Sequence, residues 1–179
     1  MLNKGYLTCD RTSTGDECYT PFYAVDPIMK YLPKDKIVWL GFDEEWSAFY
    51  QKLSGGGYKV VRSSLKDGKD FFEYQPKEWD IFVSNPPFSL KDKVLERLYA
   101  LGKPFVLLLP MNSLQGQKRF KYFENGIQLL CFDKRINYHT KSFISFDKGT
   151  PFASAYFCKD VLPKDLILEE LCVYEKPLK

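Results

Sequence analysis

Short apolar runs that alternate with longer helix-period segments constrain this chain more than any other feature of its sequence. Lys36–Phe42 (KIVWLGF), Tyr58–Val61, Asp80–Ser84 (DIFVS), Pro104–Leu109 (PFVLLL), Ile127–Phe132 and Ala153–Cys158 all have strand length and few polar residues. Strands read this way when helices bury both faces of a parallel sheet. After the first run, Glu44–Leu53 places Trp46, Phe49, Tyr50 and Leu53 at i, i+3, i+4 and i+7, one face of a helix that Gly55–Gly57 stops. Leu90–Leu101 reads as a second helix, with Ser89 or Asn85 to cap its start and Gly102 at its end. Ser113–Asn125 reads as a basic helix or loop-helix, and Phe71–Phe72 as one further, short strand. The pattern predicts an α/β fold whose last strand, Ala153–Cys158, pairs antiparallel at the sheet edge after the long connection 133–152.

A length of 179 residues with 45% hydrophobic content is enough to bury one core, so a single unit over residues 1–179 is expected, without a separate target-reading domain. Disorder and fibrous repeats are excluded by the same numbers, although the first fifteen residues and the last few are expected to be poorly ordered. Basic and acidic residues nearly balance, 26 against 23, so a net charge of +3 gives no global attraction to polyanions. Any nucleic-acid site must therefore be local. Cys9, Cys18, Cys131, Cys158 and Cys172 form no Cys-x-x-Cys pair, and His139 is the only histidine, so neither a zinc site nor a disulfide framework is expected. Reduced thiols, no signal peptide and no apolar run longer than Phe105–Leu109 point to a cytoplasmic protein without metal or membrane anchor.

The chemistry concentrates where DIFVS runs into Asn85-Pro86-Pro87-Phe88. A buried strand here delivers an amide, two rigid prolines and an aromatic ring to its carboxyl end, where open α/β sheets place ligands. In an exocyclic amine the nitrogen lone pair is delocalised into the ring. The Asn85 side-chain oxygen and the Pro86 carbonyl could each accept one N–H, draw the nitrogen toward tetrahedral geometry and free that lone pair for attack. Pro87 helps to hold the carbonyl on aim, and Phe88 could stack on an extruded base.

These residues resemble the hallmark of the S-adenosylmethionine-dependent amino-methyltransferases, an Asn/Asp-Pro-Pro-aromatic tetrapeptide after the fourth strand. The stretches 79–98 (WDIFVSNPPFSLKDKVLERL), 102–110 (GKPFVLLLP), 132–136 (FDKRI) and 151–164 (PFASAYFCKDVLPK) are similar to small phage- or prophage-type adenine-N6 methyltransferases. The resemblance implies a Rossmann-like, mostly parallel seven-stranded sheet with an antiparallel last strand, helices on both faces, and S-adenosylmethionine as cofactor. It also implies a cofactor site. Thr20-Pro21 matches a Thr-Pro that contacts the methionine part, and Asp70-Phe71 an acidic-aromatic pair that holds the adenine.

Two family features are altered. The glycine-rich turn after the first strand reads Leu40-Gly41-Phe42-Asp43-Glu44-Glu45, in which only Gly41 permits close approach, while Asp43, Glu44 or Glu45 could pair with the cofactor ammonium. At the end of the second strand the ribose-binding acid is replaced by Arg62-Ser63-Ser64, leaving Ser63 or Ser64 to take its place. On the substrate side, Lys118 and Arg119 and the stretch carrying Lys134, Arg135, Tyr138, His139 and Lys141 interleave positive charge with rings, a pattern suited to nucleic acid. The expected reaction is methyl transfer to adenine N6 of DNA, or of RNA, with target reading left to loops or to a partner protein. Protein-glutamine methylation, or a non-catalytic relative with a degenerate cofactor site, are the alternatives.

Overall fold

The computed structural model describes residues 18–139 and 150–174. Seven strands form one sheet: β1 (Ile37–Leu40), β2 (Lys59–Arg62), β3 (Ile81–Ser84), β4 (Phe105–Pro110), β5 (Gln128–Phe132), β6 (Ser154–Lys159) and β7 (Leu166–Glu169). Their spatial order is β2-β1-β3-β4-β6-β5-β7. The β1–β2, β1–β3, β3–β4 and β5–β7 pairs are parallel, and β6 runs antiparallel to both β4 and β5. The α/β class and the mostly parallel seven-stranded, Rossmann-like sheet are thus present. Its details differ from the sequence reading: antiparallel β6 lies inside the sheet, and the edge is β7. That strand escapes a search for apolar runs because its residues alternate between exposed and half-buried.

Helices α1 (Phe22–Met29), α2 (Ala48–Gly55), α3 (Lys91–Leu101) and α4 (Gln117–Phe123) complete the layers. The sheet grows from β1 to β2 in one direction and from β3 to β4 in the other, so right-handed crossovers put α2 and α3 on opposite faces. Helix α1 packs beside α2, and α4 beside α3.

Local chemistry explains where elements begin and end. Helix α2 starts four residues later than its apolar period suggests, because Ser47 caps it by accepting the Tyr50 N–H at 3.2 Å. Asp43–Trp46 are thereby released into a loop at the carboxyl end of β1. Phe71–Phe72 is a turn rather than a strand: Asp70 Oδ1 accepts the Phe72 N–H at 2.9 Å and Asp70 O accepts the Tyr74 N–H at 2.7 Å. Leu90, the residue before helix α3, supplies no capping side chain, and Asn85 turns to the Cys18 carbonyl instead; Gly102 ends the helix in the left-handed conformation, φ 67°. The basic segment resolves into a 3-10 turn, Met111–Leu114, and then α4. Helix α1 carries Pro27 in its interior and has no counterpart in the sequence reading. Cys18 is disulfide-bonded, which corrects the expectation of five reduced thiols; Cys131, Cys158 and Cys172 are free. The expectations for both chain ends fall outside the described residues.

Candidate functional site

A cleft of about 570 Å³ opens over the carboxyl ends of β1, β2 and β3. Four segments line it: residues 18–20 ahead of α1, 42–44 and 46–49 after β1, 64–66 after β2 and 85–87 after β3. Thr20, Asp43, Asn85, Pro86 and Pro87 are therefore brought together as the sequence suggests.

Asn85 holds the most informative contact. Its Nδ2 donates to the Cys18 carbonyl at 2.7 Å, which fixes the orientation of the amide. Its Oδ1 is buried and has no hydrogen-bond partner among the described residues. An orphaned buried acceptor costs roughly 1–3 kcal/mol and asks for a donor from outside the fold. The Cys18 carbonyl is itself held in place, because Tyr19 and His139 exchange backbone hydrogen bonds of 3.0 and 2.9 Å. His139 thus supports the cleft wall without lining it.

Asp43 is the buried charge of the site. Ser84, the last residue of β3, donates its hydroxyl to Asp43 Oδ2 at 2.8 Å, and Ser47 adds a second hydroxyl. Burial pushes the carboxyl up to about 6, against these two hydrogen bonds that pull it down. A cation in the cleft would stabilise the ionised form.

Other predicted residues lie elsewhere. A Cβ on Gly41 would sit 2.4 Å from the Phe82 ring and 2.9 Å from that of Phe71, so the glycine serves ring packing and does not line the cleft. Ser63 is buried and accepts the Trp39 indole N–H at 2.9 Å; its neighbour Ser64 faces the cleft instead. Phe71 packs on Trp39, Phe42 and Phe82 in the core, and Asp70 shapes the turn before it. Pro21 precedes α1 as its N-cap residue. Phe88 is buried behind Pro87, its ring 5.6 Å from Phe152 and 6.0 Å from Tyr138, both edge-on.

The basic candidates divide. Arg119 donates to Ser113 O at 2.7 Å and to the Gln115 carbonyl and pairs with Asp92, which ties α4 to α3. Tyr138 is fully buried, and desolvation pushes its hydroxyl far above the usual tyrosine range. Lys134 reaches Asp133 at 3.2 Å and the Leu171 carbonyl at 3.4 Å, while Lys118 and Arg135 are exposed. Lys141 lies outside the described residues. Sequence reasoning missed Trp46 and Tyr19, which meet edge-to-face at 4.9 Å and line the cleft. The apolar period had placed Trp46 on the buried helix face; Ser47, a strong capping residue, was the signal for the loop. Among the described residues no group of three or more His, Cys, Asp or Glu could hold a metal, and no helix is long and apolar enough to cross a membrane.

No family model matches the chain. A type II methyltransferase of Mycoplasma genitalium is 29% identical over 128 residues, which span 68% of this chain and 39% of that protein. The chain thus covers about two fifths of its relative's length. Among solved structures, a dimethyladenosine transferase from Plasmodium falciparum superposes with a TM-score of 0.46 at 11% identity, over 79% of this chain and 62% of that one. A protein-(glutamine-N5) methyltransferase from Alicyclobacillus acidocaldarius gives a TM-score of 0.38 at 17% identity, over 76% and 88%.

Proposed function

We propose that the chain is an S-adenosylmethionine-dependent methyltransferase acting on an exocyclic amino nitrogen, with adenine N6 of DNA as first substrate and RNA as second. The carrying observation is Asn85, whose Oδ1 is buried, unpartnered and held in orientation by the Cys18 carbonyl at the edge of the cleft. The similarity to a type II methyltransferase supports the same reading.

The cleft suits the cofactor in size, since pockets for ligands of this class run from roughly 300 to 1,000 Å³. Its chemistry suits a cation: Asp43 is a buried carboxylate with hydroxyl donors from Ser84 and Ser47, placed to pair with the cofactor ammonium or to sense the sulfonium charge. Thr20 and Ser64 offer further polar contacts along the cleft lining. When bound, the cofactor supplies an electrophilic methyl group on positive sulfur.

The protein's part is to prepare the nitrogen. Asn85 Oδ1 and the Pro86 carbonyl accept the two amino N–H groups, which localises the lone pair, and the proton leaves after attack because the alkylated amine is acidic. Pro86 and Pro87 keep the carbonyl from swinging away. Phe88 can stack on the base only after its ring leaves Tyr138 and Phe152, so that step needs a local rearrangement. Target reading falls to the exposed Lys118, Lys134 and Arg135 and to a partner protein.

The test is transfer of a labelled methyl group to duplex DNA, single-stranded DNA, RNA and a protein lysate in parallel, with Asn85→Ala as control. Label in DNA that vanishes in the variant is expected. Label in protein alone would move the assignment to glutamine, and no label from folded protein would overturn it.

A further inference from the structure

Three serine hydroxyls at or beside this cleft are turned toward carboxylates. Ser84 and Ser47 serve Asp43, and after β2 Ser64 Oγ donates to Asp67 Oδ2 at 3.0 Å. Asp67 lies in the 3-10 turn Leu65–Asp67 that follows β2, and its other polar contact is Arg62, the last residue of that strand. Arg62 also reaches Glu45 at 3.1 Å, so the pair is braced from the far side as well. Ser64 is 6% exposed and lines the cleft, whereas Asp67 stands outside it.

A hydroxyl whose proton is engaged has only lone pairs to offer. Toward the cleft, Ser64 is therefore an acceptor, and a better one than a free serine because it is polarised by an anion. Asp67 stays anionic over the working range, since the hydrogen bond from Ser64 and the Arg62 guanidinium hold its carboxyl below the usual range.

We propose that Ser64, polarised by Asp67, accepts a hydrogen bond from a ribose hydroxyl of the nucleoside cofactor, and that the Ser64–Asp67 relay replaces an acid at the end of β2. This rests on the cofactor reading above. Asp67 acts through Ser64 and is a positioning residue; its carboxylate does not itself line the cleft. Arg62 belongs to the same device. Its guanidinium pairs with the Asp67 carboxylate and helps to hold that carboxylate on Ser64.

Calorimetry with S-adenosylhomocysteine and its 2′-deoxy and 3′-deoxy analogues tests the relay without any turnover. The wild-type protein is expected to bind the parent about tenfold or more tightly than the analogue lacking the matched hydroxyl, the range of one hydrogen bond strengthened by a charge. Ser64→Ala should weaken the parent by the same factor and leave that deoxy analogue unaffected, so the discrimination disappears. Asp67→Ala, with Ser64 intact, should lose most of the discrimination too. A thermal melt of each variant separates lost contact from lost fold. Discrimination that survives in Asp67→Ala would overturn the relay, and discrimination absent from a wild-type protein that binds the parent well would overturn the ribose contact while leaving the cofactor reading in place. If the parent does not bind the folded wild-type protein, both fall.

Discussion

The carboxyl ends of β3 and β4 lie side by side, and the amide that follows one and the guanidinium that follows the other have opposite fates. After β3, Asn85 keeps a buried oxygen without a partner. After β4, Arg119 finds Asp92, the Ser113 carbonyl and the Gln115 carbonyl. Both regions read from sequence as functional, the first as a catalytic amide and the second as a phosphate track. The difference teaches that an unpartnered buried atom marks a site where it also borders a cleft, as Asn85 Oδ1 does and Ser113 Oγ does not, whereas a long cation readily finds carbonyls and carboxylates within its own fold.

The sharpest way to break the comparison is at Asn85. Removing an oriented acceptor aimed at developing charge costs about 10²–10³ in rate, so Asn85→Ala should lower single-turnover methyl transfer by at least that factor. The thermal midpoint should stay within a few degrees, because the change also removes the unpartnered oxygen. A variant that transfers methyl at wild-type rate, or one that fails to fold, would take Asn85 out of the catalytic role.

Asp43 should show stability and function pulling apart. An unfolded aspartate titrates near 3.9, and burial holds Asp43 at about 6. The fold thus binds this proton more tightly than the unfolded chain does. Its contribution is fully present below about pH 4, is lost as pH rises through 6, and at pH 7.5 the buried charge costs on the order of 3 kcal/mol. Asp43→Asn should therefore raise the thermal midpoint at pH 7.5 by several degrees and lower cofactor affinity about tenfold or more. In the wild type, stabilisation by the cofactor should be large at pH 7.5 and should fade as pH drops through 6. Equal stabilisation at pH 5 and pH 7.5 would mean that the carboxylate does not meet the cofactor's charge.

The sheet and the Asn85 segment are legible in the sequence because their causes are local. A run such as PFVLLL can hardly be other than a buried strand, and two prolines end a ladder wherever they stand. The cofactor side is less legible because its geometry depends on contacts far apart in the chain. Gly41 looks like a close-approach glycine, yet the rings it accommodates belong to Phe71 and Phe82. Ser63 and Ser64 are indistinguishable as letters; extended backbone just past the end of β2 sends one to Trp39 and the other to the cleft. Trp46 fits the helical period, and only the Ser47 cap puts it in a loop. Tyr138 reads as a base-stacking ring on a basic loop, but the pocket formed by Phe88 and Phe152 takes it into the core.

At the β4 end, Arg119→Ala should be a stability variant. Its side chain is 11% exposed and ties three segments together, so its loss leaves two carbonyls and Asp92 without their donor. A destabilisation of about 2 kcal/mol is expected, read as a drop of roughly 4–8 °C in thermal midpoint, with the turnover of the folded fraction unchanged. Turnover that falls while the midpoint holds would return Arg119 to the substrate side and erase the contrast with Asn85.

The smallest effect belongs to the cations that the fold has not used. Lys118 and Arg135 are exposed and have no ion pair or hydrogen bond among the described residues, so replacing both by alanine should leave the thermal midpoint unchanged. If they touch phosphates, each contributes about 0.9 to the slope of log affinity against log salt, and the double variant should bind DNA less steeply by up to about 2 in that slope. The loss should be equal for methylated and unmethylated targets, since a phosphate contact carries no base information. A salt slope that does not move would make both side chains ordinary solvated surface. Nucleic-acid binding would then rest on Lys134 and on the aromatic rim at Trp46 and Tyr19, where stacking depends little on salt.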